Sequence, residues 1–431
     1  MKKDYKSREF IFRGILMHLK EFSLNEINDY YEKIFQSYSV SEKDKALIKY
    51  VTLTTIRYRG FIEKTINLYL KKPLNKKMLE AKSGIMVGIT QILFSRIPIY
   101  ASVNTTVDLF RGNKKKWRPL VNALLRKVSR DKEKLIKKSL NKSINIPNWL
   151  IKTWQKQYGN QKTTKIIDSI FVEPAIDIFV KKNLVAAKEN FDADLILNDT
   201  IRTKKPGNLK EISGYKEGEW WIQNIAAQLP VKILGNIKNK KIIELCAAPG
   251  GKTAQMLHEG AFVTSIEISK KRTHLLKKNI ERLKLASNHR IVCADARKWK
   301  PNKKSEMTIV DVPCSSTGTL RKNPDVMWQK SIKTITEMNK LQKELLNTAI
   351  NLTITNGTII YCNCSLQFEE GEEIINYFLI KRKVKLVKIN IKEIKGYPAN
   401  IINKGLIRTL PYMYNDFTGM DGFFIARLKK I

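Results

Sequence analysis

The stretch Lys241–Thr253 reads KIIELCAAPGGKT. Ile242–Leu245 has the look of a buried strand, and it runs into a tight loop of small residues, Ala247–Gly251, with a helix expected just beyond. In open α/β sheets a ligand sits at the carboxyl end of such a strand, where glycines let the backbone come close to it. Lys252-Thr253 after Gly251 invites comparison with a phosphate-binding loop, but that motif needs a second glycine where Cys246 stands, and the spacing excludes it. What remains is the loop of a nucleotide-like cofactor that cradles no triphosphate.

Strand–helix alternation continues outward from this stretch. From Ile237 on, strands are expected over Lys241–Cys246, Phe262–Ile268, Arg290–Ala294, Met307–Val312, Gly357–Cys362 and Gly422–Leu428. Helical patterns fall between most of them, at Thr253–His258, Lys270–Leu283, Ile332–Leu352 and Gly371–Phe378. Apolar strands with crossover helices imply a parallel sheet covered on both faces. Gly422–Leu428 suits an edge strand open to antiparallel pairing.

The strand ends carry the chemistry. The small-residue loop follows the first strand, Glu267 ends the second, Asp295 follows the third and Asp311 ends the fourth. A carboxylate at the end of the second strand can take both hydroxyls of a ribose. Acidic residues in register with a glycine loop argue for an adenosyl cofactor lying across the strand ends. The fourth strand runs into DVPCSSTGTL (Asp311–Leu320) and the fifth into YCNCSLQFEEGEE (Tyr361–Glu373), so adjacent strand ends would bring Cys314 and Cys364 to one cleft. A thiolate that adds to an unsaturated ring carbon makes the neighbouring carbon nucleophilic, which cytosine C5 is not by itself. A nearby Asp that hydrogen-bonds the ring nitrogen helps the addition, and a second thiol assists breakdown of the adduct. Cys246, Cys293 and Cys362, in or at the ends of strands, read instead as small buried hydrophobes.

Composition agrees with a polyanionic partner. The chain has 431 residues, with 80 Lys+Arg against 40 Asp+Glu and a net charge of +40. That field attracts nucleic acid and makes binding salt-dependent. A lysine-heavy surface spread over the whole chain is the plainer reading, and a membrane surface ranks below both. The N-terminus, MKKDYKSREF, lacks the apolar core of a signal peptide. Leu345–Phe368 is too polar for a bilayer span, and Ser83–Ser95 is too short. None of the five cysteines forms a C-x-x-C pair and the four histidines lie elsewhere, so no metal site is expected. Reduced thiols in a cytoplasmic protein are the default.

Residues 1–130 read as helices, over Phe10–Leu19, Tyr30–Phe35, Lys45–Ile56, Phe61–Leu70 and Ile85–Phe94, then Asp108–Arg130 with a break near Pro119. Residues 131–145 read as a basic linker or solvated helix. Residues 146–236 read as a small α+β module, opening on an amphipathic helix with Trp149, Leu150, Trp154 and Tyr158. Trp220 and Trp221 suit packing of that module onto the next better than base stacking. The sheet domain takes 237–431.

Two resemblances attach to these residues. Asp44-Lys45, IPIYASVNTTVDL (Ile97–Leu109) and VNALLRKV (Val121–Val128) resemble the helical RNA-binding domain of the NusB type. ELCAAPGGKT, DVPCSSTGTLRKNPDVMW, YCNCSLQFEEGEE and RTLPYMYNDFTGMDGFFIARL resemble the signature blocks of the S-adenosylmethionine-dependent RNA cytosine-5 methyltransferases of the Nop/Sun group, from about Trp220 to the C-terminus. The resemblance implies a Rossmann-like class I methyltransferase sheet behind an all-helical NusB-like domain. It implies S-adenosyl-L-methionine held by Cys246, Ala247, Ala248, Pro249, Gly250, Gly251, Lys252, Glu267, Asp295 and Asp311. It implies Cys364 as nucleophile on cytosine C6, Cys314 as an aid to release and Asp311 as partner of the base. The implied substrate is small-subunit (16S) ribosomal RNA, free or in a pre-ribosomal particle, with the chain acting as a monomer.

Some residues depart from that pattern. Glu267 stands for a usual Asp, Asn363 for Thr before the nucleophile, Gly371 for Asn, and Ser316 for glycine or alanine. RKNPD (Arg321–Asp325) has two readings, a solvated connection or a strap with Arg321 and Lys322 on phosphates. Transfer RNA as substrate, and a non-catalytic RNA-binding assembly factor, remain the alternatives; cofactor binding separates the last.

Overall fold

The computed structural model describes residues 2–70, 72–204, 207–414 and 418–431, with side chains from residue 7 on. Met1, and Asn415–Phe417 within the C-terminal signature block, lie outside the described residues. The chain divides into two compact units, Met1–Lys152 with Asn323–Gln329, and Thr153–Lys322 with Lys330–Ile431. No helix among the described residues is long and apolar enough to cross a membrane.

The first unit is helical: Lys2–Leu19, Leu24–Ser37, Glu42–Arg57, Arg59–Tyr69, Leu79–Phe94, Ile99–Val107, Arg118–Arg130 and Lys132–Ser139. Leu24–Ser37 shows how local sequence sets an element. Ser23 and Glu26 form a capping box, and Leu24, Ile27, Tyr31 and Ile34 bury one face at three- and four-residue steps. Leu79–Phe94 is buried nearly all round and is the centre of this unit's core. A methyl group on Gly84 would lie 2.4 Å from the Phe110 ring, and one on Gly88 2.6 Å from Leu125. Pro119 sits in the first turn of Arg118–Arg130, where a missing N–H is harmless, so the expected break is that helix's start. The stretch read as linker forms Lys132–Ser139, and its Leu135 joins the helical core.

Asn323–Gln329 belongs to this helical unit. Asp325 accepts a hydrogen bond from the Leu24 amide at 2.9 Å, and the Trp328 indole N–H donates to the Ile56 carbonyl at 3.1 Å. The Arg59 guanidinium lies 4.9 Å from the Trp328 ring centroid.

The second unit holds two sheets. The smaller is antiparallel, from β1 (Ile176–Val180), β2 (Asp194–Leu197), β3 (Thr200–Thr203) and β4 (Trp220–Ile222) in the order β2-β3-β1-β4. Among the described residues the larger has nine strands: β5 (Lys241–Leu245), β6 (Phe262–Glu267), β7 (His289–Cys293), β8 (Ser305–Asp311), β9 (Thr353–Asn363), β10 (Val384–Leu386), β11 (Ile402–Asn403), β12 (Leu406–Thr409) and β13 (Phe423–Lys430). The order is β11-β12-β13-β9-β8-β5-β6-β7, with β10 on β13. Strands β7, β6, β5, β8 and β9 are parallel, and β13 runs antiparallel to β9.

Both tryptophans of β4 are packing residues. Trp220 is 2% exposed, and Trp221 stacks on Phe179 at 4.2 Å between ring centroids. Trp221 and Phe179 share a core with Met256, Leu276 and Ile309 of the larger sheet's layers, so 153–236 does not stand apart as a compact unit. A buried ion pair reinforces the joint. Arg202 meets Asp177 at 2.5 and 3.0 Å, and Asp177 also accepts from the Ile225 amide.

Candidate active site

The chain runs β5-β6-β7 in one direction across the sheet and then returns to β8 and β9 on the other side of β5. The switch point, between β5 and β8, is where an open α/β sheet leaves a crevice at its strand ends. Leu245 is level with Ile266 and Val310, and Glu267 with Cys293, so the predicted residues at the carboxyl ends line up along one edge.

After β5 the backbone turns sharply. Cys246 has φ +62°, and its amide donates to the Ile266 carbonyl at 2.9 Å. Gly250 has φ +104°, and a Cβ there would lie 2.5 Å from Leu276, so the turn into helix Gly251–His258 requires glycine. Glu267 is buried and accepts from the amides of Ala248 at 3.3 Å and Ser269 at 3.1 Å, with Arg272 3.4 Å away. Asp295 is engaged differently, by Arg297 at 2.7 Å. Those hydrogen bonds hold its carboxyl below the ordinary range. Lys252 is buried and meets Asp311 at 2.7 Å. Burial alone would lower its pKa, but the charge and hydrogen bond of Asp311, with other nearby anionic groups, hold it above the usual lysine value. Carboxylates in a row beside a glycine turn fit an adenosyl group: acceptors for ribose hydroxyls and amines, and backbone that a ligand can approach.

The thiol pair lies at the next two strand ends. Cys314 Sγ and Cys364 Sγ are 3.5 Å apart. Their loops are locked together by backbone: the Gly318 amide donates to the Cys364 carbonyl at 2.9 Å, and the Gly422 amide to the Gly318 carbonyl at 2.9 Å. A Cβ on Gly318 would sit 2.0 Å from the Gly422 oxygen, so only glycine permits this approach. The pair is asymmetric. Hydrogen bonding from Cys314, and then from Ser316, lowers the Cys364 thiol against the effect of burial. The bond to Cys364, with burial, raises Cys314 well above a free thiol. Cys364 is therefore the more acidic thiol of the two.

The other cysteines sit in different surroundings. Burial, with Asp311 and Glu267 nearby, pushes the Cys246 thiol up to about 12. Cys362 is fully buried, also raised, and 3.7 Å from Asp311. Cys293 is exposed at the sheet edge.

Sequence reasoning assigned no role to Glu370, although it lies in a quoted block. It is fully buried and ties both thiol loops together. It accepts from the Ser315 amide at 2.8 Å and the Gln342 amide at 2.9 Å, and from the hydroxyls of Ser315 and Ser365. A glutamate spaced after the second cysteine, with serines following both, was the only signal. Arg321 answers neither reading made for it. It is 4% exposed and donates to the carbonyls of Pro411 and Thr418, while Lys322 pairs with Asp421 at 2.8 Å. Among the described residues no cluster of His, Cys, Asp and Glu is arranged to hold a metal.

Comparison with known proteins follows the same division. The family model for 16S rRNA methyltransferase RsmB/F matches residues 231–429, and the model for the NusB family matches residues 5–130. A ribosomal RNA small subunit methyltransferase B from Pectobacterium carotovorum subsp. carotovorum is 30% identical over 411 residues, which is 91% of this chain and 92% of the relative. The protein of that name from Proteus mirabilis is 29% identical over 398 residues, 88% of this chain and 92% of the relative. Among solved structures, PH0851 superposes with a TM-score of 0.78 at 22% identity, covering 98% of this chain and 99% of the other. NSun6 from Pyrococcus horikoshii, solved with SFG, superposes with a TM-score of 0.56 at 20% identity, covering 66% and 98%.

Proposed function

The chain belongs to the 16S rRNA methyltransferase RsmB/F family, and from that premise we propose that it methylates C5 of a cytosine in small-subunit ribosomal RNA through a covalent bond from Cys364 to C6. The observation that carries this reading is the thiol pair at 3.5 Å, with the Asp311 and Lys252 charges acting on Cys364. S-adenosylmethionine, when bound along Cys246–Lys252, Glu267, Asp295 and Asp311, supplies the methyl group. The donor set supports that placing, and NSun6, which superposes on this fold, was solved with SFG.

The Cys364 thiolate adds to C6. One S–C bond forms, and the C5–C6 π pair moves to C5. Asp311, held by Lys252, hydrogen-bonds the base as charge develops in the ring. C5 takes the methyl group and loses its proton to a base. The S–C6 bond then breaks, the C5–C6 double bond returns, and the pair goes back to the Cys364 sulfur. The Cys314 thiol donates a hydrogen bond to that departing sulfur. The target cytosine must be unstacked to reach the thiol, in a loop or flipped out of a helix. The +40 charge draws the RNA in. The chain acts as a monomer in the cytoplasm, on free RNA or on a ribosomal precursor.

The test is a trapping assay with small-subunit RNA and S-adenosylmethionine on a denaturing gel. Cys314→Ala should accumulate a denaturation-resistant RNA adduct, and Cys364→Ala should form none and lose methylation. Methylation by Cys364→Ala would move the nucleophile to Cys314. Methylation of transfer RNA but not of this RNA would overturn the substrate.

A further inference from the structure

Ser316 holds a backbone conformation that serine rarely takes. Its φ is +58° and ψ +23°, in the left-handed region that glycine fills freely. The conformation brings its hydroxyl to the thiol pair. The Cys364 thiol donates to Ser316 Oγ at 3.5 Å, a bond that must reverse once the sulfur is ionised; Ser316 Oγ lies 3.9 Å from Cys314 Sγ, and the two sulfurs are 3.5 Å apart. The three atoms form a triangle.

We propose that Ser316 is a positioning residue for the nucleophile: its hydroxyl donates to the Cys364 sulfur whenever that sulfur carries negative charge. This happens twice in the cycle, before attack and again as the S–C6 bond breaks and its electron pair returns to sulfur. The proposal rests on the reading of Cys364 as nucleophile.

The surroundings make such a donor useful. Cys364 faces Cys314 from the loop after β8, Asp311 from the end of β8 and Lys252 from helix Gly251–His258. Glu370 acts on Cys314 from beneath. Asp311 opposes a thiolate and Lys252 favours one; hydrogen bonds from Cys314 and Ser316 add to the side of the thiolate. A sulfur stabilised in this way is the better leaving group, so Ser316 promotes release of methylated RNA.

The experiment needs no RNA. Alkylation of Cys364 by iodoacetamide in the full chain is followed by mass spectrometry of its peptide, between about pH 6 and 10, for the parent, Ser316→Gly and Ser316→Ala. Glycine relieves the left-handed backbone and alanine retains it, so an effect common to both isolates the hydroxyl. The expected result is an upward move of the pH midpoint in both variants. The rate at pH 7 falls up to about threefold for a move of roughly half a unit, and the plateau at high pH changes little. An unchanged midpoint in both variants, or a move in only one of them, overturns the proposal. The trapping assay separates the two failures. If Cys364→Ala still methylates, the reaction reading falls while the alkylation result stands by itself. If only the alkylation midpoint fails to move, Ser316 loses its role and the two-thiol reaction remains.

Discussion

In the helical unit the innermost element, Leu79–Phe94, buries Ile85, Met86, Val87, Ile89 and Ile92 against other apolar side chains. In the sheet unit the residues beneath the strand ends include Glu244, Lys252, Glu267 and Glu370, all 8% exposed or less. The first kind of burial stabilises the fold in proportion to area and tolerates exchange among residues of similar volume. The second costs free energy unless every polar group is matched, and replacing it by apolar residues is often neutral or better for stability. Buried charge kept under those terms is what the proposed site at the strand ends is built from.

Substitutions can break or sharpen that contrast. The largest effect is expected at Glu370. Glu370→Ala leaves the Ser315 amide, the Gln342 amide and two hydroxyls without their acceptor. Loss of about 3–5 kcal/mol in denaturant unfolding is expected, with methyl transfer reduced at least ~10-fold because both thiol loops lose their tie. A variant of normal stability and rate would mean that the network is dispensable.

Next is Ile89, fully buried in the helical core. Ile89→Ala should cost about 2–4 kcal/mol through lost burial and a residual cavity. The hydrogen-bond partners of the thiol pair belong to the sheet unit, so the pH profile of Cys364 alkylation should stay in place. A shifted profile would break the contrast between a region that only stabilises and one that reacts.

The smallest effect concerns Glu244, buried on β5 with Thr253 Oγ1 at 2.6 Å and Ser265 Oγ at 3.1 Å. Burial raises its pKa from 4.5 to about 7, against the hydrogen bond from Thr253 and the charge of Lys252. Between those values the folded chain holds a proton that the unfolded chain releases. Stability therefore falls as pH rises from about 4.5 to 7 and does not recover above it. Glu244→Gln removes the penalty. It should stabilise the sheet unit by about 1–3 kcal/mol at pH 8, and the gain should vanish near pH 4.5. Calorimetry at the two pH values reads the difference, and a gain that is independent of pH would show that Glu244 is not titrating.

The parts of the molecule legible in the sequence were those that local spacing reports. Ile332–Leu352 coincides with its expected helix, and β5–β9 fall within a few residues of their expected strands, because a period of 3.6 or an apolar run bounded by breakers is a property of neighbours along the chain. The turn after β5 was legible for the same reason, since a glycine at Gly250 and small residues before it announce a close backbone approach. Charge patterns were less decisive. The lysines of 131–145 allowed a linker or a solvated helix, and the structure forms the helix Lys132–Ser139, docked through Leu135. Arg321 was open to two readings, a solvated connection or a phosphate contact, but it is buried and its guanidinium satisfies carbonyls of the segment after β12.

The sequence by itself determined the elements, the cofactor-type turn at Cys246–Gly251, the thiols and carboxylates available at the strand ends, and a charge suited to RNA. Those follow from residue type and from spacing within one turn or one strand. Only the tertiary structure decided that the two sulfurs stand 3.5 Å apart, that Glu370 holds their loops, that Arg297 occupies Asp295, that Ser316 turns its hydroxyl to the pair and that Asn323–Gln329 is part of the helical unit. Each joins segments whose proximity depends on strand order and loop closure, and a linear pattern of residues carries no term for either.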